Sequence, residues 1–291
     1  MPVDERLLLL DVDGTLLPYG GTVSPGVLQA LRRAQEAGVH MAVVTGRSWP
    51  EFRPAAARIP IEGPLACANG AAIYADRRGK ALRVHRLPRQ TALHTVSRLK
   101  ERDALFWVYF EHQALIERKL VERFQERSVL MERGGWRARL ESMRRARSMG
   151  FRPVADVLAE MDRVGSPPTH IGVSSEEEAS EAVLTRLRAW VERLDGANVV
   201  QVTPWSFDIL PAGCDKGEAL VEIAALYGLP VAGSIMVGDN YNDLPAFRQA
   251  GLAVAMGNAP DPVKEQAAWV APSVDADGVA VVIDRLLNGE L

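Results

Sequence analysis

Short uninterrupted apolar runs alternate with helically periodic stretches through the first third of the chain. Leu7–Leu10 is four leucines ending at Asp11, the pattern of a strand buried on both faces of a parallel sheet. Ser24-Pro25 reads as a helix N-cap followed by proline at the first helical position, with Gly38 as the stop. Within that segment Val27, Leu28, Leu31 and Ala34 fall on one face at helical spacing. A second strand is predicted over 41–44, ending at Thr45-Gly46, and a third over 64–68, ending at Asn69-Gly70. This β-α-β-α-β order predicts a doubly wound, Rossmann-like parallel α/β sheet. The alternation resumes late, with a helix over 217–227 stopped by Gly228 and a strand over 235–237 running into Gly238-Asp239.

Between these halves the pattern changes. Aromatic, strand-like runs lie at 105–110, 170–173, 199–202 and 207–210, and polar helical runs at 97–102 and 176–193. The expected architecture is an α/β core, residues 1–84 and 212–291, interrupted by an inserted α+β domain, residues 85–211. Leu87-Pro88 and Leu210-Pro211-Ala212-Gly213 read as hinges. No internal repeat or low-complexity tract is present.

Composition narrows the class. With 47% hydrophobic and 24% charged residues in 291, the chain is globular and neither disordered nor collagen-like. A net charge of −3 argues against nucleic acid held by bulk charge. Residues 118–152 run the other way, with eleven Arg or Lys against four Glu. An anionic substrate could face Arg137, Arg139, Arg144, Arg145 and Arg147, but a solvated helical face is the preferred reading. Cys67 and Cys214 cannot build a disulfide framework, so a reducing, cytoplasmic setting is the expectation. The leucine run is too short for a signal or membrane segment, and no window reaches ~18 apolar residues. No membrane or nucleic-acid partner is expected.

The chemistry concentrates at strand ends. Asp11-Val12-Asp13-Gly14-Thr15 follows a buried strand, where open α/β sheets bind ligands. Two carboxylates so close repel unless a cation or shared proton offsets them, and a hard divalent metal does so through oxygen ligands. An EF-hand is excluded, because the glycine stands fourth from Asp11 and the twelfth residue is Thr22. Gly238-Asp239-Asn240-Tyr241-Asn242-Asp243 is a second acidic cluster where a strand gives way to a helix. Asp239, Asn242 and Asp243 would complete an oxygen-rich metal site if the two strands were neighbours. Thr45-Gly46-Arg47 offers a hydroxyl and backbone N–H groups for a phosphoryl oxygen. Lys216, one of only five lysines, supplies a compact cation. Arg47 and Asn69 stand at strand ends beside these residues and read as substrate-side groups. The five histidines show no metal-ligand spacing, and Cys214 has no matched base.

These motifs resemble the haloacid dehalogenase-like hydrolase superfamily, specifically its Cof-type branch with a cap inserted after the third core strand. DVDGTLL at 11–17 is similar to the first motif, Thr45 in VVTGR to the second, Lys216 in DKGEAL to the third, and GDNYND at 238–243 to the fourth. ANGAAIY at 68–74, AMGNAPDPVK at 255–264 and DGVAVVID at 277–284 extend the resemblance over nearly the whole chain; 118–152 does not map. The resemblance implies a phosphatase for small phosphorylated metabolites, with Asp11 as nucleophile and Asp13 as acid and then base. It implies Mg2+ held by Asp11, the Asp13 carbonyl and Asp239, with Thr45, Gly46 and Asn242 on the phosphoryl group. Lys216 would neutralise that group, and Asp243 would position Lys216 or a metal-bound water. The cap would read the leaving group, with Trp107, Tyr109, Trp136, Arg137, Trp205 and Phe207 as candidates, each aromatic being more readily explained as cap core. A phosphomutase and a non-catalytic phospho-ligand-binding module are the alternatives.

Overall fold

A computed structural model of the chain describes residues 5–121, 123, 151–174 and 181–291, with only the backbone of 181–183. The chain divides into two compact units. The first comprises Met1–Arg47, Phe52–Arg83 and Cys214–Leu291, and the second Ser48–Glu51 and Val84–Gly213.

The first unit is built on an eight-stranded sheet. In chain order its strands are β1 (Leu7–Leu10), β2 (His40–Val44), β3 (Leu65–Cys67), β4 (Ala72–Tyr74) and β5 (Ala81–Val84). After the second unit the sheet continues with β12 (Ser234–Gly238), β13 (Leu252–Ala255) and β14 (Trp269–Val270), β6–β11 belonging to that unit. The spatial order is β14-β13-β12-β1-β2-β3-β4-β5. All four leucines of β1 are fully buried, as a central strand covered on both faces requires. β1 runs parallel to both neighbours, with Leu10 opposite Val237 of β12 and Val43 of β2. Three strands therefore end at the same level, and Asp11, Asp239 and Thr45 follow directly.

The sheet departs from the all-parallel expectation at one edge. β4 pairs antiparallel with β3, because the chain reverses at Ala68-Asn69-Gly70, where all three residues have positive φ (51°, 49° and 94°). The hairpin of β4 and β5 then forms the edge, and the chain passes into the long segment of the second unit at Val84, the last residue of β5.

Helix α1 (Pro25–Glu36) starts as its sequence predicts, Ser24 Oγ accepting from Val27 N. Helix α2 (Trp49–Ala56) buries Phe52 and most of Trp49.

Among the described residues the second unit holds a six-stranded sheet of order β10-β11-β9-β6-β7-β8. Its strands are β6 (Leu105–Tyr109), β7 (Ala114–Glu117), β8 (Phe151–Val154), β9 (His170–Ser174), β10 (Ala197–Thr203) and β11 (Ser206–Pro211). Pairing is antiparallel except between β7 and β8. Helices α3 (Arg89–Glu101), α4 (Val157–Val164) and α5 (Glu181–Val191) belong to it. Its core includes Val96, Leu99, Phe106, Ile171, Phe207 and Ile209.

Sequence pattern missed β7, β8 and α4. Among the described residues β8 is an edge strand carrying Arg152 and Pro153, so it lacks an apolar run, and proline is tolerated at an edge. Phe207 is core, and Trp107 packs edge-on against Phe151. Tyr109 is buried, stacked on His170 at 4.0 Å, with its hydroxyl donating to Glu51. Trp205 lies exposed between β10 and β11. Trp136, Arg137, Arg139, Arg144, Arg145 and Arg147 lie outside the described residues. Among the described residues no helix is long and apolar enough to cross a membrane.

Candidate active site

The residues predicted for catalysis, metal and phosphoryl binding (Asp11, Asp13, Thr45, Gly46, Arg47, Asn69, Lys216, Asp239, Asn242 and Asp243) all belong to the first unit, whereas the candidates for reading the leaving group fall in the second. The register of β1 delivers Asp11 to the sheet's carboxyl end, where its backbone N–H still donates to Val237 O (3.0 Å). Helix α6 (Lys216–Tyr227) begins beside it. Asp215 is the N-cap, its carboxylate accepting from Gly217 N and Glu218 N at 2.7 and 2.9 Å, which fixes Lys216 as the first helical residue. The Lys216 ammonium is fully buried and donates to Asp11 Oδ1 (2.7 Å) and Asp243 Oδ1 (2.5 Å).

Beyond β12 the chain turns through Asp239–Asp243 into helix α7 (Leu244–Gln249). Asp243 ties that turn together, its Oδ2 accepting from Asp239 N and Asn240 N, both at 2.9 Å. Both of its oxygens are thus engaged. Asp239 differs. Its Oδ2 accepts from Tyr19 Oη (3.1 Å) and Asn258 Nδ2 (3.2 Å), but its buried Oδ1 has no hydrogen-bond partner.

Asp11, Asp239 and Asp243 each present an oxygen within 4.8 Å of the others. Burial foremost pushes the Asp11 and Asp239 carboxyls well above the usual carboxylate range; repulsion from Asp243 adds to this for both, and from Asp11 for Asp239, while Lys216 opposes it. Burial disfavours the Lys216 cation, but Asp11 and Asp243 outweigh it and hold the ammonium above its ordinary value. Fully ionised, three carboxylates and one ammonium leave two negative charges in a buried space. A divalent cation balances that charge, and the orphaned Asp239 Oδ1 is the kind of oxygen a hard cation takes. The residues therefore fit such an ion. Asp243 is the least available ligand of the three because its oxygens are already committed.

The remaining residues form a second arc. Thr45 is buried after β2, its N–H donating to Ala66 O and its Oγ1 accepting from Arg47 N (3.1 Å). Asn69 N in turn donates to Thr45 O (2.9 Å). Asn69 adopts the left-handed conformation that asparagine tolerates better than most residues, and its Oδ1 accepts from Asn242 Nδ2 (2.9 Å). Gly46 lies against this amide pair; a Cβ there would sit 3.3 Å from Asn69 Oδ1 and 3.4 Å from Asn242 Nδ2. Arg47 meets Asp13 instead, in a two-pronged pair with Nε–Oδ2 at 2.7 Å and an Nη–Oδ1 bond at 2.5 Å. Both partners are about a third exposed.

Sequence reasoning missed Tyr19 and Asn258. Asn258 had a signal, since it lies in AMGNAPDPVK, but nothing in the spacing marked Tyr19. Cys214 carries no sign of activation, its thiol being pushed up to about 11 by burial.

The chain is similar to known proteins along nearly its whole length. The chain is 26% identical to the 5-amino-6-(5-phospho-D-ribitylamino)uracil phosphatase YwtE of Bacillus subtilis, over 98% of this chain and 99% of that one. It is 26% identical to the pyridoxal phosphate phosphatase YbhA of Escherichia coli, over 96% and 97% of the respective chains. A haloacid dehalogenase-like hydrolase from B. subtilis superposes with a TM-score of 0.82 at 26% identity, covering 97% of this chain and 99% of that one. The family model for haloacid dehalogenase-like hydrolases matches residues 8–283, and with that span the chain belongs to this family.

Proposed function

We propose that the chain is a Mg2+-dependent phosphatase that hydrolyses small phosphorylated metabolites, sugar or polyol phosphates foremost, through an aspartyl-phosphate intermediate. The observation that carries this reading is the convergence of Asp11, Lys216, Asp239 and Asp243 at the ends of adjacent parallel strands, with one buried Asp239 oxygen unpartnered. Two of the 26%-identical relatives named above, YwtE and YbhA, are phosphatases of phosphorylated small molecules, which supports the substrate class.

Unaided phosphate-monoester hydrolysis is among the slowest reactions known, and catalysis must supply on the order of 20 kcal/mol. A carboxylate nucleophile divides the reaction into two easier displacements. In the first, an Asp11 oxygen bonds to phosphorus while the ester P–O bond breaks and Asp13 gives its proton to the leaving oxygen. In the second, Asp13 takes a proton from water, the water oxygen bonds to phosphorus, and the Asp11–phosphorus bond breaks. Thr45 and Asn242 hold the phosphoryl oxygens, with Gly46 and Asn69 shaping that arc. Lys216 neutralises their charge, and Asp243 holds Lys216 in place.

Mg2+, held by Asp11, the Asp13 carbonyl and Asp239, would supply further charge neutralisation at the phosphoryl group. Arg47 engages Asp13 as a fork of donors. A phosphoryl dianion carries more charge than a carboxylate and competes for that fork, which would free Asp13 for proton transfer. Residues 85–211 are assigned as the cap that discriminates leaving groups.

The test is phosphate release from a panel of sugar, polyol and nucleotide monophosphates, with and without Mg2+, beside Asp11→Asn. Metal-dependent release that disappears in the variant is expected. If folded wild-type protein releases no phosphate from any compound, hydrolysis is the wrong reaction. Turnover restored by a sugar bisphosphate would then identify a phosphomutase.

A further inference from the structure

We infer that Tyr19 and Asn258 are positioning residues for a divalent cation: together they seat Asp239 Oδ2, so that Oδ1 is the oxygen Asp239 presents. The inference rests on the proposed Mg2+ site and goes further, because neither residue is a ligand in that proposal.

The seat has three sides. Tyr19 Oη donates to Asp239 Oδ2 at 3.1 Å, and Asn258 Nδ2 approaches the same oxygen at 3.2 Å. Gly14 closes the third side. Its φ is +78°, and a Cβ there would stand 2.0 Å from Oδ2, so any other residue would push the carboxylate out. Asn258 is itself held in one orientation. Its Nδ2 also donates to Gly14 O (2.8 Å), and its Oδ1 accepts from Val274 N (2.8 Å). That last bond settles which end of the amide faces Asp239. Tyr19 is tied by a second contact, accepting from Asn240 Nδ2 at 3.3 Å.

The result is an asymmetric carboxylate. One oxygen has two donors and the other, though buried, has none. A carboxylate free to rotate about its last bond would offer either oxygen and share its donors between them. Fixing Oδ2 removes that freedom and pre-orients Oδ1, so less ordering remains to be done when a cation binds. Partners of this kind change metal affinity about 10–100-fold when removed from metalloenzymes.

Tyr19 is well suited to a test, because the residue is 64% exposed and loss of the hydroxyl should leave the fold intact. Mg2+ binding would be measured by titration calorimetry on the full chain without substrate, for wild type, Tyr19→Phe, Asn258→Ala and Asp239→Asn. Tyr227→Phe is the matched control; it removes a hydroxyl bonded to Met41 O, at the opposite end of α6 from Lys216. Expected are a severalfold loss of affinity in Tyr19→Phe, about tenfold or more in Asn258→Ala, no binding in Asp239→Asn, and wild-type affinity in the control. The half-saturating Mg2+ concentration for turnover should rise by the same factors.

If Asp239→Asn abolishes binding while Tyr19→Phe and Asn258→Ala bind as wild type does, the seat has no positioning role, although the metal site stands. If wild type binds no Mg2+, or Asp239→Asn binds it equally well, the metal site itself is wrong and the inference falls with it. Should Asn258→Ala fail to fold, given its bond to Val274, Tyr19→Phe decides alone.

Discussion

Lys216 has no exposed surface and spends its ammonium on two buried carboxylates, Asp11 and Asp243. Removing one member of such a group leaves uncompensated buried charge, which costs about 3–5 kcal/mol. Lys216→Met keeps most of the side-chain volume and deletes only the charge and its donors. Its urea midpoint in metal-free buffer is therefore expected to fall well below that of wild type. Mg2+ should stabilise the variant more than it stabilises wild type, because the cluster then holds one more unbalanced negative charge. Equal metal-free midpoints would mean that the ammonium contributes nothing to folding. At this scale the sequence was informative where a residue's type is unusual for its place: a lysine among few, or paired aspartates after a leucine run. It was silent on Arg47 engaging Asp13 and on Tyr19 reaching Asp239, because both contacts are long-range and the exposed ring of Tyr19 follows no periodicity.

Helix α6 illustrates what local sequence can settle about an element. Asp215 caps it through Gly217 N and Glu218 N, and the cap sets the turn from which Lys216 enters the acidic cluster. Asp215→Ala should cost about 1 kcal/mol of stability by chemical denaturation and lower turnover, whereas Asp215→Ser, which keeps an acceptor, should restore both. Loss of turnover in the serine variant at full stability would show that Asp215 does more than cap. α1 was legible for the same reason, through Ser24 and Pro25, and β1 through its four leucines. The hairpin of β4 and β5 was not, because its direction depends on consecutive positive-φ residues at 68–70, and alanine gives no warning of that conformation. β8 was illegible because an edge strand can do without an apolar run.

Two units with separate cores predict two separable responses. The residues proposed to hold Mg2+ all belong to the first unit, so Mg2+ should raise the stability of that unit, by about 2.7 kcal/mol at a concentration 100 times its dissociation constant. The second unit carries a different lever. His170 is buried under Tyr109, and burial lowers its pKa to about 3. It stays neutral in the folded unit, while the unfolded chain takes up a proton below about 6.5. Its contribution is therefore fully present above that pH and is lost as the pH falls towards 3, at about 1.4 kcal/mol per unit. Scanning calorimetry should resolve two transitions. Mg2+ should raise one midpoint and leave the other in place. Acidification from pH 6.5 should lower the midpoint that ignores Mg2+, and His170→Asn should flatten that slope without changing the response of the first. A single transition moved by both Mg2+ and the His170 substitution would mean that the two cores unfold as one, and that a ligand bound to the first unit stabilises the second through their coupling.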